Sequence, residues 1–498
     1  MTDDKIDAIS ITKDRQFYPR NDKVLIEIRM AGDGKDFQEM TFDLSGAVAK
    51  LDAPASGIFV GEPGKKKGPT DQDEDDCTRS LDPAKIIPAC TKLVEDKSDT
   101  PHNRAVAYYD RGNAYKNTQD YDHALADYSE ALALDPTYAH AYLNRGLVYA
   151  AKNDAARSIA DSSRSIELDP AQKLAYLNRA LAYRFQRNFV AAIADYNQAF
   201  KLGASAANDY QGRGLAYAGN GDFQRAVADF GEAIKRGAND APTLNARAEA
   251  YRSLNQLEPA LADYTAAIKL DANYAEAYHG RGMVYRLKGD FDRAIADYSA
   301  ALARDSNLAA AYNDRGSAYR LKGDFEHATA DYSAAIALYP KWAAPYHRRG
   351  YVAFLAADLP KALADLTQAN ALDPTDAYLA LMLDIVAQRS KLPSRLKEMS
   401  GKLDMTAWPA PLIRLYLAQL TPEAAMAAAA DPDVATGRGR ICEANFYTGE
   451  LALLNDHKDA AARLFGRASA DCPLAVSEWE LANAELKAMG INAPQGKR

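Results

Sequence analysis

The chain has 498 residues, about half of them hydrophobic, enough for two or three ordinary domains or for one long solenoid. Its formal net charge of −8 argues against a general nucleic-acid binder, which carries a basic excess. Apolar residues come in short periodic groups and never run to a membrane-spanning length, so no direct membrane insertion is expected.

Residues 1–61 read as strands. Val24, Ile26, Ile28 and Met30 alternate with other residues, and so do Met40, Phe42 and Leu44. Alternation at period two predicts half-buried strands, hence a small N-terminal β module. Residues 62–76 are rich in Pro and Gly, then basic, then acidic, and read as a solvated linker. The glycines there do not fit a phosphate-binding loop. A helical segment is expected over 77–104.

From about residue 105 the chain repeats itself at a period of 34. A small residue followed three positions later by Tyr recurs at Gly112/Tyr115, Gly146/Tyr149, Ala180/Tyr183, Gly214/Tyr217, Ala248/Tyr251, Gly282/Tyr285 and Gly316/Tyr319, with Gly350/Ala353 as an eighth copy. Twelve residues on stands a second small residue, from Ala124 to Ala362, and four further a mostly aromatic position, from Tyr128 to Leu366. Antiparallel helices approach closely only where both carry small side chains, and the aromatics fill the wider gap towards the next repeat. Pro136, Pro170, Pro340 and Pro374 end second helices, because proline cannot continue the hydrogen-bond ladder.

Residues 375–441 read as a less regular helical segment, with a helix near 376–388 and another starting at Thr421-Pro422. Gly449, Ala461, Phe465, Ala468 and Pro473 return to the repeat frame. Residues 442–498 therefore read as a ninth repeat and a C-terminal capping helix.

These residues resemble the tetratricopeptide repeat family over 105–374, in eight copies without an indel. The resemblance implies an all-α superhelical solenoid of antiparallel helix pairs that binds proteins in a concave groove. Residues 408–486 resemble the C-terminal part of NlpI-like bacterial envelope lipoproteins, which implies a periplasmic adaptor. This chain shows no lipid-attachment cysteine near its first residue, and that departs from the pattern.

An Arg precedes the small residue in all eight repeats, from Arg111 to Arg349, and an Asp precedes the aromatic position, from Asp127 to Asp365. The sixteen-residue spacing puts the two opposite each other in a helical hairpin, which favours a structural ion-pair ladder over a binding ladder. The family frame implies that other first-helix positions face the groove. Candidates for partner contact are Tyr109, Asn245, His279, Asn313 and His347, with Lys116, Arg184, Arg252, Arg286 and Arg320 as a cationic rail. A partner-binding rail and a solvated helix face remain alternatives. Some family members clamp a chaperone's C-terminal carboxylate with Lys, Asn and Arg. Asn113 and Asn144 match the asparagines, but Tyr109, Leu174 and Asn178 replace the cations, so that ligand is not expected.

The four cysteines form two local pairs, Cys77 with Cys90 and Cys442 with Cys472. Such pairs are candidate disulfides and point to a periplasmic or exported protein. The acidic N-terminus does not read as a signal peptide. Either the numbering starts after a removed leader, or the thiols are free and the protein is cytoplasmic. His279 and His347 are two repeats apart, too far to share a metal, and no zinc-spaced cysteines or nucleophile motif occurs. The expectation is a non-catalytic scaffold without cofactor or metal, whose partner is a protein offering an acidic segment or a C-terminus. Alternatives are an envelope adaptor delivering proteins to a protease or synthase, and a complex subunit docked through the β module.

Overall fold

The computed structural model describes residues 70–472 and 477–492, together with the backbone of three short antiparallel strands at Ile6–Lys13, Val24–Met30 and Thr41–Phe42. The rest of residues 1–69 lies outside the described residues. These strands alone do not establish the β module expected over 1–61.

The chain falls into two compact units, residues 1–284 and 285–498. Both units are stacks of antiparallel helix pairs. The first opens with α1 (Asp71–Thr78) and α2 (Pro83–Glu95). Helix α1 begins inside the expected linker. Thr70 caps it reciprocally with Asp73, and Asp71, Asp73 and Glu74 favour the positive end of the helix dipole, so the acidic run nucleates a helix rather than a coil. Five pairs follow: α3 (Pro101–Asn117) with α4 (Tyr121–Leu134), α5 (Ala139–Ala151) with α6 (Ala155–Leu168), α7 (Lys173–Phe185) with α8 (Phe189–Lys201), α9 (Ala207–Gly219) with α10 (Phe223–Lys235), and α11 (Ala241–Ser253) with α12 (Leu257–Leu270). The unit boundary runs through α13 (Ala275–Leu287).

The second unit holds α14 (Phe291–Arg304), α15 (Ala309–Leu321), α16 (Phe325–Leu338), α17 (Ala343–Leu355), α18 (Leu359–Leu372) and α19 (Ala377–Arg389). Short helices α20 (Leu396–Met399), α21 (Ala410–Tyr416) and α22 (Pro422–Ala428) lead to α23 (Val434–Leu454), α24 (Lys458–Asp471) and α25 (Ser477–Ala488). As the sequence suggests, Thr421 caps α22 with Pro422 in its first turn. Helix α23 starts at the Asp433 cap, well before Cys442.

Each pair is locked by the small-residue contact. A Cβ added at Gly112, Gly214 or Gly316 would lie 2.9 Å from the ring of Tyr128, Phe230 or Tyr332. Where the small residue is Ala, the ring has moved. Tyr196 and Tyr264 lean onto Gly212 and Gly280 of the next repeat, which have no Cβ to obstruct them. The change from Gly to Ala at one position is thus matched by a Gly 32 residues on, a compensation written across two repeats.

Turns between the paired helices share one geometry. The second residue after each first helix has a positive φ, at Gln119, Asn153, Arg187, Gly221, Asn255, Gly289, Gly323 and Ala357. An Asp or Asn next caps the second helix in most repeats, as Asp120 does by accepting from the His123 amide.

Candidate functional site

The Arg and Asp that recur along the repeats meet as forked ion pairs. In seven repeats, at Arg111/Asp127, Arg145/Asp161, Arg179/Asp195, Arg213/Asp229, Arg247/Asp263, Arg315/Asp331 and Arg349/Asp365, Nε and Nη2 each donate to one carboxylate oxygen at 2.7–2.9 Å. Both partners are largely buried, and the fork leaves Nη1 free to reach backwards. It donates to the second helix of the preceding repeat, or its equivalent, at Thr91, Ser129, Ser163, Asn197, Ser299 and Ser333, at 2.7–3.1 Å. Arg281 reaches Thr265 in the same way. The ladder therefore ties neighbouring repeats together as well as the two helices of each pair. The hydroxyl or amide directly after the aromatic position was not singled out from the sequence, although it recurs at the same period. Arg247 lacks this third tie because Gly231 occupies the position. Tyrosine faces such as Tyr108, Tyr142 and Tyr176 flank the guanidiniums of their own repeats at 5.4–5.7 Å.

The remaining first-helix cations differ in kind. Lys116, Arg184, Arg252 and Arg286 have no ion pair among the described residues, and Nη1 of Arg184 and Nε of Arg252 and Arg286 are buried without a hydrogen-bond acceptor. Burial pushes the Lys116 ammonium down to about 8. Each of these cations belongs to a repeat whose aromatic position is Tyr: Lys116 with Tyr128, Arg184 with Tyr196, Arg252 with Tyr264, Arg286 with Tyr298 and Arg320 with Tyr332. In the other three repeats the aromatic position is Ser162, Phe230 or Leu366, and the cation is replaced by Ala150, Ala218 or Phe354. Burial raises the hydroxyl pKa of Tyr196, Tyr264 and Tyr332, and the neighbouring Arg184, Arg252 and Arg320 act against that rise. Arg184, Arg252 and Arg320 thus stand near the phenol oxygens of their own repeats. The co-occurrence is written in the sequence, but its reason shows only where the two helices are seen together.

Tyr109, Asn245 and Asn313 are buried rather than presented on an open face. Tyr109 accepts from Asn144 at 2.9 Å, and Asn144 also donates to Asn113 at 2.8 Å, where Tyr128 donates as well. This small network fixes the first two repeats against each other. Next to it, burial pushes the Asp110 carboxyl up to about 7. Asn245 donates to Glu249, and the side-chain oxygens of both Asn245 and Asn313 have no hydrogen-bond partner. His279 is half-buried. His347 lies 4.0 Å from Asp376, and burial lowers its pKa.

Arg320 departs most from expectation. It does not face an open groove, because α25 covers it. Glu480 of α25 pairs with Arg320, and Tyr351 donates to Glu480 at 3.2 Å and to the Ser477 carbonyl at 2.7 Å. Farther along α25, Glu485 binds Arg389, which also binds Glu450 of α23, both at 2.8 Å. Glu478 accepts from Tyr447 at 3.3 Å, and burial, with the charge of Glu443 adding to it, pushes its carboxyl up to about 7. Leu481, Ala482 and Leu486 are buried in the core of this unit.

The cysteine pairs come together. Cys77 and Cys90 have Cα atoms 4.9 Å apart and Cys442 and Cys472 5.0 Å apart, both within disulfide range. Cys442 sits in the body of α23 rather than at its start, and Cys472 closes α24. Among the described residues no group of His, Cys, Asp and Glu could hold a metal ion, and no helix is long and apolar enough to cross a membrane.

Models of the tetratricopeptide repeat match residues 112–153 and 248–286, 275–308, and 139–172 and 309–341. The chain therefore carries tetratricopeptide repeats, within the stretch where the sequence pattern pointed to them. No curated protein matches it. Among solved structures, YrrB, a TPR protein with an unusual peptide-binding site, is 26% identical over 37% of this chain and 96% of its own, with a TM-score of 0.31. MamA is 24% identical over 32% of this chain and 93% of its own, at 0.30. A tetratricopeptide repeat protein from Parabacteroides merdae is 16% identical over 50% of this chain and 98% of its own, at 0.43.

Proposed function

We propose that this chain is a non-catalytic protein-interaction scaffold whose first-helix cations receive an acidic segment of a partner protein. The observation that carries the reading is the contrast between two sets of cations. Seven arginines of the ladder are satisfied by an aspartate, whereas Arg184, Arg252 and Arg286 hold buried N–H groups with no acceptor and no ion pair among the described residues. A buried donor left unmade costs about 1–3 kcal/mol. The neighbouring phenol oxygens account for where these cations occur but do not neutralise their charge. Carboxylates of a partner would neutralise that charge, and local charge steers such an encounter even on an acidic chain.

The test compares capture from native extract by wild type and by Arg184→Glu/Arg252→Glu/Arg286→Glu, read by quantitative mass spectrometry with circular dichroism as the folding control. Loss of the same acidic proteins from the folded variant supports the reading. Equal capture places the partner elsewhere and removes it.

A second reading is an envelope adaptor that delivers proteins to a protease or synthase. The two cysteine pairs at disulfide-forming separation favour it, because such bonds persist in oxidising compartments.

A further inference from the structure

We infer that α25 is a tethered ligand of its own solenoid: it fills a receptor for a short acidic amphipathic helix, built by Arg320, Tyr351 and Arg389, and an outside helix of the same pattern enters only by displacing it. This rests on the reading above, that acidic segments are what the repeats receive, and adds the shape of the segment and the place where it is already answered.

The geometry separates α25 from an ordinary end cap. A cap needs an apolar face towards the last helix pair and a polar face towards water. Helix α25 has the first, in Leu481, Ala482 and Leu486. Its polar face, however, is not given to water. Glu480 pairs with Arg320, whose side chain is 17% exposed against 19% for Glu480, on a helix 160 residues earlier in the chain. Glu485 pairs with Arg389, and Tyr351 closes over the first turn by donating to the Ser477 carbonyl. Arg320 lies over the Tyr351 ring, 5.1 Å from its centre, and Arg389 over the Phe354 ring, 5.0 Å from its centre. The receptor thus consists of two cations held on aromatic faces, five residues apart on the ligand helix at Glu480 and Glu485, with Leu481 and Leu486 set one residue after each acid.

Arg320 occupies the same repeat position as Arg252 and Arg286, which have no carboxylate partner among the described residues. Among the described residues, Arg320 is the member of that set with a carboxylate, and it obtains it from an acidic helix, which is the chemistry proposed for the partner. Tethering sets an effective concentration on the order of mM, so a free competitor must overcome that advantage. Weakening the tethered contact should therefore raise the apparent affinity of a competitor without changing the receptor.

The experiment uses the full chain and, as probe, a fluorescent synthetic peptide of residues 477–488. Glu480→Gln should speed amide exchange of α25 and tighten peptide binding at least tenfold over wild type. Adding Arg320→Gln should reverse the gain in binding while leaving α25 mobile. If Glu480→Gln changes neither exchange nor binding, α25 is a fixed cap and the inference is overturned. Faster exchange with no gain in binding overturns it as well, since the uncovered surface is then not a receptor. Either failure leaves the Arg184, Arg252 and Arg286 capture result standing on its own. Loss of that result would leave the peptide experiment to show only a self-association surface.

Discussion

Removing Asp263 probes the ladder where it has least redundancy. Among the described residues Arg247 hydrogen-bonds only to Asp263, through two bonds of 2.7 and 2.8 Å, since Gly231 offers no hydroxyl to its third nitrogen. Breaking a fully buried pair from one side costs about 3–5 kcal/mol. Here the Arg247 side chain is 21% exposed and the Asp263 side chain 10%, which places Asp263→Ala at about 2–3 kcal/mol. Asp229→Ala should cost roughly 1 kcal/mol less, because Arg213 keeps its bond to Asn197 and its place over the Phe200 ring. Asp122→Ala, which removes an open surface pair with Lys152, should leave no measurable loss. Repeat arrays unfold in nearest-neighbour fashion, so amide exchange resolved by repeat is the suitable assay, supported by urea unfolding. The protection lost should be centred on α11 and α12 for Asp263→Ala. An Asp263→Ala variant as protected as Asp122→Ala refutes the structural role of the ladder. A loss for Asp229→Ala equal to that for Asp263→Ala refutes the backward tie alone.

Gly231→Ser should stabilise the fourth and fifth repeats by about 1 kcal/mol, because it replaces a helix-interior glycine and places a hydroxyl within reach of Arg247, whose Nη1 lies 3.9 Å from the Cβ site; an unchanged urea midpoint would contradict this. The Glu478 carboxyl has a folded pKa near 7, above its ordinary value, so its contribution is complete below about 4.5 and is lost as pH rises through about 7, up to about 3 kcal/mol for the α25 packing. Protection of α25 should accordingly be greater at pH 5 than at pH 8, and Glu478→Gln should flatten that difference. Non-reducing peptide mapping of protein from its native compartment should recover Cys77 joined to Cys90 and Cys442 joined to Cys472, and four free thiols would remove the envelope reading.

The repeats were legible because each depends on contacts that the sequence writes at a fixed interval. Gly112 needs the ring of Tyr128 sixteen residues later, and Arg111 needs Asp127 at the same distance. Cap chemistry at Thr421-Pro422 is local, and it too could be read directly. What was missed depends on coincidence between distant elements. Ser129 or Ser163 looks like any surface serine until the guanidinium of the next repeat is seen beside it. Arg320 reads as one more member of a column of cations, and no local pattern announces that Glu480 will cover it. The acidic run after Thr70 shows the opposite difficulty. Its charge suggested a solvated linker, while its spacing, with Asp73 three residues after Thr70, is that of a helix start.

The proposed role of the unpaired cations of the repeats is to recognise carboxylates on a protein segment. Fluorescence anisotropy of a labelled twelve-residue polyglutamate peptide tests this most directly, with wild type and Arg184→Glu/Arg252→Glu/Arg286→Glu compared across a salt series and polylysine of equal length as the control. Wild type should bind the acidic peptide, weaken steadily as salt rises, and ignore polylysine, while the folded triple variant should lose binding at every salt concentration. Salt-independent binding, or equal binding by the triple variant, would contradict the account.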